Sequence, residues 1–199
     1  MRGTAEGPGT TPTRERIAEA AIRVIDRQGF DVVSVRSVAQ ESGLSAGTVQ
    51  YHFGSRRELL LAALDRSVER QVQRVAQARG VHTCRASLTR TLRELLPLDG
   101  VRHEDAAVWV SFGAAASTRE WLVEPYWAHT ELFRSMVQEA LERAAHEGRL
   151  RAGLTPGVAA PLVTALVNGL TLDHLNAPGH VGVEMEAALD RGLSLIVSD

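Results

Sequence analysis

Apolar residues recur along this chain at three- and four-residue intervals, and nowhere does the sequence settle into the two-residue alternation of a strand. The spacing predicts a first helix over 14–28 behind a Thr13 cap, with Ile17, Ala20, Ala21, Val24 and Ile25 as its inward stripe and Gly29 as its stop. Ser34 is an N-cap for a second helix whose Val35, Val38 and Ala39 face inward, and Gly43 can end it by taking a positive φ. Leu44 plugs the turn, and Ser45 caps a short third helix over 46–52, with Val49 and Phe53 sharing its inner face. Ser55 and Glu58 have capping-box spacing and open a long helix to about 78. Its first half is apolar through Leu59, Leu60, Ala63, Leu64 and Val68. Its second half is rich in Gln and Arg and reads as a strut. Further helices are expected over 83–96, 102–117, 120–146, 155–176 and 182–198, with breaks at 97–100, 148–153 and 178–179. The fold class is therefore all-α, about nine helices in total. Residues 1–12, rich in Gly, Thr and Pro, read as a disordered tail, 13–60 as a three-helix head and 61–199 as a helical body.

Residues 33–60 carry the chemistry. A helix, a glycine turn and a short second helix form a helix-turn-helix, which sets one helix into the major groove of DNA. Ala46 and Gly47 keep its N-terminus slim for close approach, while Thr48, Gln50 and His52 point away from the Val49–Phe53 face. Arg56 stands on the first turn of the next helix, where a cation opposes the helix dipole; phosphate contact explains it there. Such corners also occur in helical proteins that bind no DNA, so an α-helical interaction protein is the alternative reading.

Charge is divided to suit DNA. Residues 1–80 carry 12 Arg against 9 acidic groups, or +3, and residues 81–199 carry 10 Arg against 15, or −5, within a net charge of −2. All 22 basic residues are arginine, which excludes every lysine-dependent mechanism. Cys84 is the single cysteine, so neither an internal disulfide nor a multi-cysteine zinc site is expected, and the histidines lack H-x-x-x-H spacing. No cofactor or metal is implied. With 44% hydrophobic and 23% charged residues, no apolar run of about 18 residues and a polar N-terminal stretch, the chain reads as a cytoplasmic globular protein with no membrane partner. Gly43-x-Ser45-x-Gly47 matches the nucleophile elbow of serine hydrolases. That elbow requires a preceding strand, where this sequence predicts a helix.

Residues 13–60 closely resemble the N-terminal domain of TetR-type transcriptional regulators. The likeness runs through Gly29-Phe30, Ser34-Val35-Arg36-x-Val38-Ala39, Gly43-Leu44-Ser45-x-Gly47-Thr48, Tyr51-His52-Phe53 and Ser55-Arg56-x-Glu58-Leu59-Leu60. The resemblance implies a repressor, released by a small-molecule inducer, that reads a palindromic double-stranded operator as a homodimer. Its DNA contacts would come from Ser34, Arg36, Ser45, Ala46, Gly47, Thr48, Gln50, Tyr51, His52 and Arg56. Two positions depart: Gln50 stands where the family often has tyrosine, and Arg56 where it often has lysine. Residues 148–175 are similar to the family's penultimate helix and the loop before it, which implies dimerisation through 155–176 and 182–198. In 158–170 apolar residues occur almost all round, as such a helix requires, and Leu189, Leu193, Leu195 and Ile196 are the expected partners. The family's pocket lies among the middle helices, where Trp109, Phe112, Trp127 and Phe133 are the candidate apolar walls and Asn168 and His174 the candidate orienting polar groups.

Overall fold

The computed structural model describes residues 10–177 and 182–199, and every structural statement concerns those residues. They form α1 (Thr10–Gln28), α2 (Val35–Ser42), α3 (Ala46–His52), α4 (Arg56–Ala78), α5 (Arg85–Leu92), α6 (Gly100–Ala116), α7 (Glu120–His146), α8 (Pro156–Asn176) and α9 (Gly182–Ser194). The fold is all-α. Three expected boundaries move by more than two residues. First, α1 begins at Thr10, so residues 10–12 leave the expected tail; Pro12 fits because a first turn needs no N–H there. The expected tail over 1–9 and the break at 178–179 fall outside the described residues. Second, the helix expected over 83–96 is α5 followed by a 3-10 turn at Arg93–Leu95, since Pro97 disfavours helical backbone at Leu96. Third, α9 stops at Ser194. The tail beyond it lies back across the loop before α8: Leu150 and Val197 form an antiparallel bridge, and Ser198 donates its N–H to the Arg149 carbonyl at 2.9 Å.

Local caps explain the head. The Ser34 hydroxyl accepts from the Ser37 amide at 3.1 Å and the Ser37 hydroxyl accepts from the Ser34 amide at 2.9 Å, a reciprocal box at the start of α2. Gly43 ends α2 at φ 66°, a left-handed conformation that a Cβ would oppose. At α4 the Ser55 hydroxyl accepts from the Glu58 amide at 3.2 Å. The expected return bond is displaced by one residue, because the Glu58 carboxylate accepts from the Gly54 amide at 3.0 Å. The last carbonyls of α2 and α3, which helical geometry leaves without partners, are taken by arginines of α1. Arg16 donates to Ser42 O and Arg14 to His52 O, each at 2.6 Å, and the Arg14 guanidinium lies 4.4 Å from the Phe53 ring centroid.

Two cores fill the molecule. The first joins α1–α4 to Val108, Phe112 and Ala115 of α6 and Leu122 of α7, so the packing continues well past residue 60. The second gathers Leu88 and Leu92 of α5, Val137 and Leu141 of α7, Val163 and Val167 of α8, and Leu189 and Leu193 of α9. Gly192 lets α8 and α9 close up: a Cβ there would meet Leu166 Cδ2 at 2.5 Å. A buried ionic clamp ties the strut to α6. Asp105, 1% exposed, accepts from Arg70 Nε at 3.0 Å and from Arg74 Nη2 at 2.7 Å. Two guanidinium partners compensate a carboxylate that would otherwise be very costly to bury.

Candidate nucleic-acid interface and ligand cavity

The helix-turn-helix presents α3 at the surface. Val49 and Phe53 are buried, and Ala46, Gly47, Gln50 and Tyr51 are exposed, Tyr51 at 80%. Ser45 is occupied as a cap: its hydroxyl accepts from the Thr48 amide at 3.0 Å and pairs with the Thr48 hydroxyl at 2.8 Å. It follows α2 and a turn, with no strand among the described residues, so the hydrolase elbow is set aside. Gln50 folds along its own helix and donates from Nε2 to Gly54 O at 2.9 Å. A base contact by this amide requires exchanging that bond. Tyr51 and His52 sit edge to face, ring centroids 5.2 Å apart, and Arg36 is exposed on α2.

Arg56 has structural partners that its expected role at phosphate does not include, and its side chain stays 39% exposed. It is not a free surface cation. Its Nε donates to Val33 O at 2.8 Å and its Nη2 to Phe30 O at 2.9 Å, with the guanidinium 5.4 Å from the Phe30 ring centroid and Asp31 at 3.4 Å. The residue 30–33 turn leaves carbonyls unpaired, and a five-donor fork satisfies them. Arg56 therefore buttresses the head. Ser34 is likewise occupied in its capping box.

A cavity of about 160 Å³ lies between the two cores, bounded by α4, the segment before α5, α5, α6, α7 and α8. Trp109, Phe133 and Asn168 line it, as expected. The Trp109 indole N–H donates to Asn168 Oδ1 at 3.1 Å. An indole can only donate, so the amide oxygen faces the ring and the amide nitrogen faces away. Tyr126 covers one side of Trp109, centroids 4.7 Å apart, and its burial pushes the phenol pKa up.

Three expected lining residues lie elsewhere. Phe112 is fully buried in the first core, edge to face with Phe30 at 5.1 Å. Trp127 is half exposed on α7 beneath the Arg134 guanidinium, 4.9 Å from its ring centroid. His174 lies near the end of α8, beside Pro97, Leu98, Asp99 and His103. The sequence pointed to aromatics and therefore missed the polar and aliphatic lining: Gln71 and Val75 of α4, Leu88 and Thr91 of α5, and His129, whose ring pairs with Asp65 at 2.9 Å. Amphipathic spacing marks such residues as inward but does not separate a wall from a core.

Comparison with known proteins agrees with this arrangement. Residues 17–63 match the bacterial regulatory proteins of the tetR family, and residues 84–198 match the C-terminal region of BetI-type transcriptional repressors. The chain is 27% identical over 169 residues to the HTH-type transcriptional regulator PksA of Bacillus subtilis, covering 84% of this chain and 81% of that protein. A transcriptional regulator from Rhodococcus sp. Rha1 superposes with a TM-score of 0.81 at 29% identity, over 92% of this chain and 95% of that one. A putative regulator from Saccharomonospora viridis, solved in complex with choline, superposes with a TM-score of 0.83 at 25% identity, over 94% and 99%. With a tetR-type helix-turn-helix over 17–63 and a BetI-type C-terminal region over 84–198, the chain belongs to the TetR family and is a DNA-binding transcriptional regulator.

Proposed function

We propose that this regulator represses transcription as a homodimer on a palindromic operator and is released when a small molecule fills the cavity between its two cores. The observation that carries the release is the course of α6. Trp109 faces the cavity, and three residues on Phe112 packs against Phe30 of the head. Asp105 of the same helix clamps α4, the helix that leaves the head. A ligand that shifts α6 against α4 therefore re-aims α3, and it favours release to the extent that it binds the shifted conformation better. Thr48 and Gln50 read bases, while Arg36, Tyr51 and His52 hold phosphate beside the slim Ala46-Gly47 start of α3. The work is binding alone, without catalysis, in the cytoplasm.

The dimer reading rests on α8. Val158 (57% exposed), Leu162 (51%) and Leu172 (44%) form one apolar stripe with Ala165 and Gly169. This helix is also long and apolar enough to cross a membrane. A partner's α8 and α9 covering the stripe accounts for that apolarity within a dimer. Sedimentation tests this: a dimer at micromolar concentration is expected and Leu162→Glu should shift it to monomer, whereas monomeric wild-type protein would refute the pairing. Release is tested by DNA anisotropy on a selected operator, with and without cavity ligands. An operator that stays bound at saturating ligand would refute it.

A further inference from the structure

The rim of the cavity carries two arginines, Arg79 and Arg143, against one carboxylate, Glu139. Arg79, His82, Arg143 and Glu139 all line it, and Arg79, His82 and Glu139 are exposed. Among the described residues neither Arg79 nor Arg143 has a carboxylate within 4.0 Å; Arg143 Nε reaches only the Thr83 hydroxyl, at 3.4 Å. Neighbouring acids have partners other than these two arginines, and Glu147 also lies 3.9 Å from the His82 ring. Glu147 pairs with Arg149 at 3.2 Å and accepts from the Thr83 amide, and Asp65 pairs with His129. The interior is apolar: Val68, Val75, Leu88, Leu92, Phe133 and Met136 dominate the wall. Trp109 offers no open aromatic box for a quaternary ammonium, since Tyr126 covers one side and its N–H is spent on Asn168.

We propose that this cavity takes a small apolar carboxylate, with a body about the size of one aromatic ring and an anionic head held at the rim by Arg79 and Arg143. The identification rests on reading the cavity as the effector site. Size sets the body: the cavity of about 160 Å³ is close to the roughly 150 Å³ apolar cavity that admits benzene. Charge sets the head. Two guanidinium forks without acidic partners match the geometry of a carboxylate, and an ionised acceptor strengthens each hydrogen bond roughly twofold over a neutral one. The lone rim carboxylate, Glu139, is exposed and leaves the arginine side in excess.

Calorimetric titration of the full-length protein with four probes tests this: 3-phenylpropanoate, 3-phenylpropanol, 3-phenylpropylammonium and choline, at one ionic strength. The carboxylate should bind at least about tenfold tighter than the others, as a pair of charge-assisted bonds implies. Arg143→Met keeps an apolar stem and removes the charge. It should bring the carboxylate to the alcohol's affinity and leave the alcohol unchanged, and Arg79→Met should do so in part. Equal binding of alcohol and carboxylate, tightest binding of the ammonium or choline, no binding of any probe, or a preference that survives both variants would overturn the proposal. Operator release is scored separately, so binding without release would count against the effector reading alone.

Discussion

The head and the body of this regulator are held together by different means. In the head, polar groups do the fastening: Ser34, Ser45 and Ser55 cap their own helices, while Arg14, Arg16 and Arg56 reach across to close helix ends and the residue 30–33 turn. In the body, the second core is mostly aliphatic, and the cavity opens where it meets the first. A head fastened by directional hydrogen bonds moves as one piece, whereas a seam between two apolar clusters tolerates relative displacement at modest cost. A ligand entering the seam therefore has a rigid object to move.

The contrast is broken most forcefully at the clamp between the two regions. Asp105→Ala leaves Arg74 without its carboxylate and Arg70 with Glu104 alone, at 3.3 Å, and should cost about 3–5 kcal/mol of stability in urea unfolding. A loss under about 1 kcal/mol would mean that the clamp is solvated. Phe112→Ala should cost a similar or slightly smaller amount, about 3–5 kcal/mol, by emptying the contact with Phe30. Because Phe112 lies outside the cavity lining, affinity for a cavity ligand should survive in the folded fraction; affinity lost in proportion would put Phe112 back in the pocket.

Gln50→Ala or Thr48→Ala sharpens the reading of the head, at about 1–3 kcal/mol on the cognate operator with relaxed sequence preference. Equal weakening on random DNA would reassign them to phosphate. The smallest effect concerns Asp99, the N-cap of α6. Burial pushes its carboxyl up, but the Arg102 amide and guanidinium outweigh that and hold it below the ordinary value of 3.8. A lowered pKa adds stability that is present above about pH 4 and fades as the pH falls through the depressed value. Since the side chain is half exposed, Asp99→Ala should remove no more than about 1 kcal/mol at neutral pH. It should also flatten the acid limb of the unfolding midpoint; an unchanged limb would show that the pair is screened.

The head was legible because its signals are short. Ser34, Gly43 and Ser45 act within four residues of themselves, so spacing alone assigns them. The structural role of Arg56 was hidden because its partners, Phe30 and Val33, lie more than twenty residues away. The body's helices were legible as helices, but its cavity was not. Trp109 and Phe112 share a helix and an aromatic character, yet a turn of less than one revolution sends one to the cavity and the other to the head. The strand-like tail at Val197 was hidden because its partner, Leu150, is nearly fifty residues earlier.

The most direct test of a DNA-reading head is binding by the intact protein to fragments recovered from a genome-wide selection, compared with random duplex at one salt concentration. A palindromic site bound at least about 10³-fold more tightly than random DNA, with the preference reduced in Gln50→Ala, is the predicted result. Equal affinity for selected and random DNA, or no recovered site, would contradict it.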